Sequence, residues 1–273
     1  MPILILILII LAAVLIGYGL GRRRKRLREQ LITAPFDPAW TAILQANLSL
    51  YDHLPEELKH KLHGLVNVFL HDKVFSGYNG LEIDDEIRVT IAAQACMLVL
   101  NRGEELYPSL KNIYVYPGAF RSDQVSSDGL VQTTETITRI GESWHRGHVV
   151  LSWQHSREGG LDDDDGHNVV YHEFAHQLDH EDGAIDGTPV LDDAQSYRNW
   201  RRVFSEEFLQ LRERVSAHRA SFIDPYGAVS EGEFFAVVTE LFFERPREMA
   251  ERHPELYDEL RKFYRLDPGE WVS

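Results

Sequence analysis

Two histidines four residues apart, with a glutamate directly after the first, constrain this chain more than any other feature. They lie in Tyr171-His172-Glu173-Phe174-Ala175-His176-Gln177-Leu178-Asp179. Four residues on a helix make about 1.1 turns, so the two imidazoles leave the same face. Both can then reach one tetrahedral metal at ~2.0–2.1 Å. Glu173 lies about 100° further round the helix, within reach of an activated water without being a ligand, as in the H-E-x-x-H zinc hydrolases. Val169, Val170, Phe174, Ala175 and Leu178 supply the apolar face of a buried helix. The bland alternative is a helix with two surface histidines and an incidental glutamate, and the downstream residues argue against it.

A catalytic zinc takes three protein ligands and leaves one position open. A local third ligand would be Asp182, in a metzincin-like extension that carries Asp179 where such sites need glycine for a sharp chain reversal. A distant one would be a glutamate of Ser230-Glu231-Gly232-Glu233-Phe234-Phe235-Ala236-Val237-Val238-Thr239-Glu240. Glu233 and Glu240 are seven apart and share a helix face. Ser230 and Glu233 also match a capping box. A ligand and a partner that orients a ligand would account for both glutamates, and spacing alone does not say which is which. Asp179 shares the ligand face and either steadies a ligand or ends the helix.

Around this segment the expected organisation is helices, a small sheet, then helices, an α+β arrangement. Leu58, Leu62, Leu65 and Phe69 predict a helix over Pro55–Leu70, and Glu82–Asn101 has the acidic start and apolar body of a buried helix. Asp37-Pro38 suits a helix opening at Ala39. Ile113–Tyr116, Leu130–Ile140 and His148–Trp153 predict strands. The last is expected either as an edge strand able to pair with an extended peptide or as an interior strand. Ala194–Arg214, Glu231–Phe243 and Pro254–Phe263 return to helical periodicity. Asp162–Asp165 lacks the spaced ligands of a calcium loop and is expected as a solvated run near the zinc helix's N-terminus.

Charge divides the 273 residues unevenly. Residues 1–28 contain Arg22, Arg23, Arg24, Lys25, Arg26 and Arg28 and no acid. The rest holds 22 basic against 43 acidic residues, a net of −21, which repels phosphate backbones and argues against nucleic-acid binding. Ile3–Leu20 is uncharged and, as a helix, spans about 27 Å, close to the ~30 Å hydrocarbon core. Positive charge follows the run and does not precede it, the mark of an uncleaved inner-membrane anchor whose C-terminal side stays in the cytoplasm. The lone Cys96 excludes an intrachain disulfide and reads as a buried, inert thiol.

Several stretches beyond the histidine pair resemble the Mlc titration factor A family of zinc-dependent peptidases, whose catalytic core is similar to that of anthrax lethal factor. They are Gly80-Leu81-Glu82-Ile83, Ile91-Ala92-Ala93-Gln94-Ala95-Cys96, Val115-Tyr116-Pro117, Val150-Leu151-Ser152-Trp153, the His172–Asp179 motif and Glu233-Phe234-Phe235-Ala236-Val237. The resemblance covers roughly Trp40 to Tyr264. It implies a zincin-like core, zinc ligands at His172, His176 and Glu233, a general base at Glu173 and an active-site tyrosine at Tyr226. It further implies a peptide or protein substrate and a transcription-regulator partner. The anchor departs from the family's soluble members, so location and partner are not inherited with it. A phenol at Tyr226, on the Pro225-Tyr226-Gly227 turn, can donate to a developing oxyanion, while a packing role is the plain alternative.

The expected layout is an anchor and basic flank at 1–28, a linker at 29–38, a helical subdomain at 39–110 and a zincin-like catalytic region at 111–273. The expected function is a membrane-anchored zinc metallopeptidase with its catalytic part facing the cytoplasm. The alternative is a protein that sequesters a transcription regulator.

Overall fold

The computed structural model describes residues 2–103, 106–127, 132–139, 141–144 and 147–271, with the side chains of 2–9, 12, 13, 20 and 120–144 outside the description. The N-terminal part runs α1 (Pro2–Ile32), α2 (Pro38–Asn47), α3 (Ser49–His53), α4 (Glu56–Asp72), β1 (Val74–Gly77) and α5 (Asp85–Met97). Next come β2 (Asn112–Tyr116), a hairpin of β3 (Phe120–Ser127) and β4 (Gln132–Arg139), β5 (Gly141–Trp144) and β6 (His148–Ser152). The chain ends in α6 (Trp153–Leu161), α7 (Val169–Asp179), α8 (Ala194–Ser216), α9 (Glu231–Glu244), α10 (Pro246–Arg252) and α11 (Pro254–Tyr264).

The main sheet is small and mixed, in the order β1-β2-β6-β5. β1, β2 and β6 are parallel, and β5 closes the row antiparallel to β6. Alternation in β2 buries Ile113 and Val115 against the helices and leaves Tyr114 and Tyr116 half-buried on the other face. Of the two positions expected for β6 the interior one holds and the edge one does not: β2 and β5 flank it on both sides. Its four buried residues Val149–Ser152 follow from that interior position. The strand expected at Leu130–Ile140 is β4, and its Leu130, Val131 and Ile140 lie outside the described residues.

Helix boundaries follow local chemistry. Asp37 caps α2 through the Ala39 amide, and Asp84 caps α5 through the Ile87 amide at 2.9 Å. From Ile87 onward every α5 residue except Arg88 is buried, and Cys96 is one of them. Burial pushes the Cys96 thiol well above its usual range, so it is inert. The segments 39–110 and 111–273 share one sheet and one core: β1 of the first pairs with β2 of the second, and Phe69 of α4 packs against Phe174 of α7.

Helix α1 continues to Ile32, into the stretch expected as a linker. Its end lies against α4 at Gly64, where a Cβ would meet the Ile32 carbonyl oxygen at 2.6 Å. Asn67 Nδ2 donates to the carbonyls of Leu31 (3.2 Å) and Ala34 (3.4 Å), and Arg28 pairs with Asp72 at 2.7 Å. Towards the N-terminus, Ile10, Leu11, Val14, Leu15 and Ile16 are exposed. Among the described residues no helix is long and apolar enough to cross a membrane. The side chains of 2–9, 12, 13 and 20, part of the expected span, lie outside the description.

Candidate metal centre

Helix α7 carries the histidine pair, and its start is fixed by one residue. Asn168 Oδ1 accepts from the amides of Val170 and Tyr171, both at 3.0 Å. Its Nδ2 donates to the Gly159 carbonyl at 2.8 Å, and its own amide donates to Glu240 Oε2 at 2.6 Å. The N-cap thus satisfies two orphan amides and ties α7 to α6 and α9. Asp162–Asp165 form turns ahead of it, with Asp165 Oδ1 accepting from the His167 amide at 2.7 Å.

Helix α9 faces α7 with its glutamates. Ser230 Oγ caps α9 by accepting from the Glu233 amide at 3.2 Å, half of a capping box. The Glu233 carboxylate turns towards α7, where Oε2 lies 2.9 Å from His172 Nε2 and 3.3 Å from His176 Nε2. The three ligand-type atoms lie within 4.8 Å of one another. Ligands of a tetrahedral ion at ~2.0–2.1 Å sit about 3.3 Å apart, so these separations need little adjustment. Glu240, two turns on, meets the far side of the first ring: its Oε1 is 2.7 Å from His172 Nδ1. That contact orients the imidazole and directs Nε2 inward.

The electrostatics favour positive charge at this point. Burial works against a charged imidazole at His172, yet Glu240 and Glu233 hold its pKa well above the ordinary value. Burial likewise opposes ionisation of Glu233, and hydrogen bonds from His172 and His176 overcome it and hold the carboxyl well below its usual range. A pair of imidazoles and a carboxylate that stabilise a cation here, with Nε2 atoms converging on one oxygen, fit a divalent metal ion.

Glu173 is buried on α7. Tyr226 sits on the short 3₁₀ turn Pro225–Ala228, its amide held by Asp224 Oδ1 at 2.7 Å. Its ring is 52% exposed and its centroid is 6.0 Å from that of His172, so it borders the cluster from the solvent side. The structure therefore brings together His172, His176, Glu233 and Tyr226, with Glu173 on the same helix as the two histidines.

Asp179 and Asp182 are used elsewhere. Asp179 Oδ2 accepts from the Gly187 amide at 2.9 Å, and Asp182 Oδ1 from the Ala184 amide at 3.0 Å. Gly187 has φ +73°, a Cβ there would meet the Glu231 carbonyl oxygen at 2.4 Å, and its carbonyl accepts from Trp200 Nε1. Asp179 thus fixes the loop that seats the start of α9, and through it the height of Glu233. Burial pushes Asp179 up to about 6.

Residue spacing carried no signal for Asn168 as the link between α6, α7 and α9, or for Glu244. Glu244, one turn after Glu240, is a buried carboxyl pushed up to about 10 by burial and by the charges of Glu240 and Asp165.

Fold and site define a metallopeptidase-like protein: a small sheet, a helix with two histidines and a facing glutamate on a second helix. The chain belongs to the glucose-regulated metallo-peptidase M90 family, whose profile matches residues 21–265. It is 44% identical over 242 residues to the Synechocystis sp. protein slr2042, covering 88% of each chain. It is 32% identical over 221 residues to Mlc titration factor A of Klebsiella pneumoniae, covering 79% of this chain and 82% of that one. It is 31% identical over 227 residues to Mlc titration factor A of Escherichia coli, covering 81% and 84%.

Proposed function

We propose that this protein is a zinc-dependent, gluzincin-like peptidase that hydrolyses peptide bonds at the His172-His176-Glu233 cluster. The convergence of those three side chains, with Glu240 behind His172, carries the reading. A Zn²⁺ ion held by His172, His176 and Glu233 would supply Lewis acidity, lowering the pKa of water toward ~7 and polarising the scissile carbonyl. Glu173 takes the proton of the attacking water and later delivers it to the leaving amine. Tyr226, beside His172, donates its phenol hydrogen to the carbonyl oxygen as that oxygen gains charge. With β6 interior, β5 is the sheet edge in contact with α7, and pairing of an extended substrate with its backbone is part of this reading.

Anchoring at the inner membrane, with the catalytic body on the cytoplasmic side, is part of the same reading. The uncharged run Ile3–Leu20, the exposed apolar side chains of α1 and the basic residues Arg22–Arg26 support it. Alkaline extraction of membranes tests it: the full chain should stay in the pellet and a variant lacking residues 2–20 should not. Release of both would remove the anchor from the proposal.

A second reading takes its support from the relatives' name, Mlc titration factor A. In it the protein binds a transcription regulator, and hydrolysis is secondary. Metal analysis and peptide cleavage by the full chain, repeated on Glu173→Gln, separate the two. The peptidase reading expects one zinc per chain in both proteins and cleavage only in the parent. Undiminished cleavage by Glu173→Gln would overturn the mechanism, and regulator binding without cleavage by either protein would favour sequestration.

A further inference from the structure

A second cleft, of about 550 Å³, opens between the C-terminal half of α8, the segment 217–224 and α10. None of His172, His176 and Glu233 lines it. Phe222 forms its floor. The Arg245 guanidinium carbon lies 4.9 Å from the centroid of that ring and the Arg252 carbon 5.3 Å, while the His253 imidazole stacks at 5.9 Å with 19° between planes. Glu248 pairs with both arginines, at 2.7 Å to Arg252, and Glu207 takes His253 Nδ1 at 2.8 Å. Arg214 faces the cleft from α8.

Three guanidiniums therefore meet two carboxylates, one of them engaged by a histidine. The Arg245 Nε is buried and has no acceptor among the described residues, and its Nη2 pairs with Glu248. On a body this acidic, a surplus of positive charge around an aromatic floor is a specific arrangement. Guanidinium forks match phosphate and carboxylate oxygens, and arginines stacked on a ring hold their forks in place. The volume is that of a small-molecule site.

We propose that this cleft binds a small organic anion, its phosphate or carboxylate group held by Arg214, Arg245 and Arg252 and its apolar part against the Phe222 and Leu211 side chains of the lining. Occupancy acts on the Tyr226 turn. Phe222 and Ile223 run directly into Asp224, whose carboxylate holds the Tyr226 amide, and Gly227 of that turn lies against Leu211 of the cleft wall. A ligand touching Phe222 and Leu211 restrains both ends of the turn. The significance of that restraint for catalysis rests on the function proposed above, whereas binding does not.

Calorimetric titration of the full chain with phenyl phosphate, benzoate and inorganic phosphate tests the site. Saturable binding of an aromatic anion is expected, and the tighter of the two identifies the oxyanion. Inorganic phosphate, lacking the contact with Phe222, should bind more weakly. The Arg214→Gln/Arg252→Gln double variant should lose at least about tenfold in affinity. Both arginines are exposed, so the fold should survive, and Arg261→Gln on α11 should bind as the parent does. No saturable binding up to about 10 mM, or equal affinity in the double variant, would overturn the site. Amide exchange at residues 226–229, read at saturating ligand, should slow. Unchanged exchange would overturn the link to Tyr226 while leaving both the binding site and the peptidase reading intact.

Discussion

The α7–α9 and α1–α4 contacts are both helix-on-helix, yet they are made of different materials. Between α7 and α9 the chain buries ionisable groups: Glu233 and Glu240 against His172, with Glu244 one turn further. Between α1 and α4 it uses close backbone approach at Gly64, the neutral Asn67 hydrogen bonds and a single ion pair, Arg28–Asp72, whose side chains are only 15% and 11% exposed. Burying charge is costly unless every group finds a partner. The second contact limits that cost to one directly paired arginine and aspartate, as an attachment should. The first accepts it, which is what a site that must hold a cation requires. Substitutions between α7 and α9 should therefore act mainly on metal and rate, and those between α1 and α4 mainly on stability.

The largest effect is expected at Tyr226. Removing one donor to a developing oxyanion lowers kcat by roughly 10²–10³-fold. Tyr226→Phe should do so with zinc content and melting temperature unchanged, measured by steady-state peptide cleavage and metal analysis. A rate within about twofold of the parent would assign the ring to packing alone. Glu240→Gln comes next. It leaves the three ligands in place but weakens the hold on His172 Nδ1, and loss of such partners lowers metal affinity about 10–100-fold. Competition with a chromophoric chelator measures this. An unchanged affinity would mean that packing, not Glu240, orients the imidazole.

These two residues also mark the limit of what the sequence discloses. Helical spacing is local, so the His172–His176 face and the helices α4, α5, α8, α9 and α11 were legible from periodicity. Glu233 and Glu240 were not separable, because seven residues return to the same face. The crossing of α9 over α7 sets one glutamate opposite the Nε2 atoms and the other opposite Nδ1, and a crossing is a tertiary fact. Strand order is likewise non-local, which is why β6 proved interior and why β1, four residues with no alternation to read, went unseen. Helix α6 was not expected: it is short and carries Gly159-Gly160, which lower helix propensity. Lys73 gave no warning either: its buried Nζ donates to the carbonyls of Leu106, Tyr107 and Leu110 at 2.7, 2.7 and 2.9 Å, contacts that join distant segments.

On the attachment side, Gly64→Ala should lower stability by about 1–3 kcal/mol despite alanine's better helix propensity, because the new methyl meets backbone that cannot move aside cheaply. The melt should shift while zinc content and cleavage rate per folded molecule stay constant. A loss of metal would show that the two contacts are coupled and would break the comparison.

The smallest effect sharpens it, because Glu244 belongs to the α7–α9 contact but is no part of the metal cluster. Its carboxyl is pushed up to about 10 by burial, with Glu240 and Asp165 adding to the shift. An unfolded chain releases that proton near the ordinary glutamate value, ~4.3. Between those values the folded state binds more protons than the unfolded state, so this group's contribution to stability falls as pH rises through the window. Glu244→Gln removes the ionisation and keeps the size. Its margin over the parent should be larger at pH 8 than at pH 5 by at least about 1 kcal/mol, read from urea melts at the two values. An equal difference at both pH values would show that Glu244 ionises in the folded protein without penalty, and that the charge buried between α7 and α9 is better compensated than its surroundings imply.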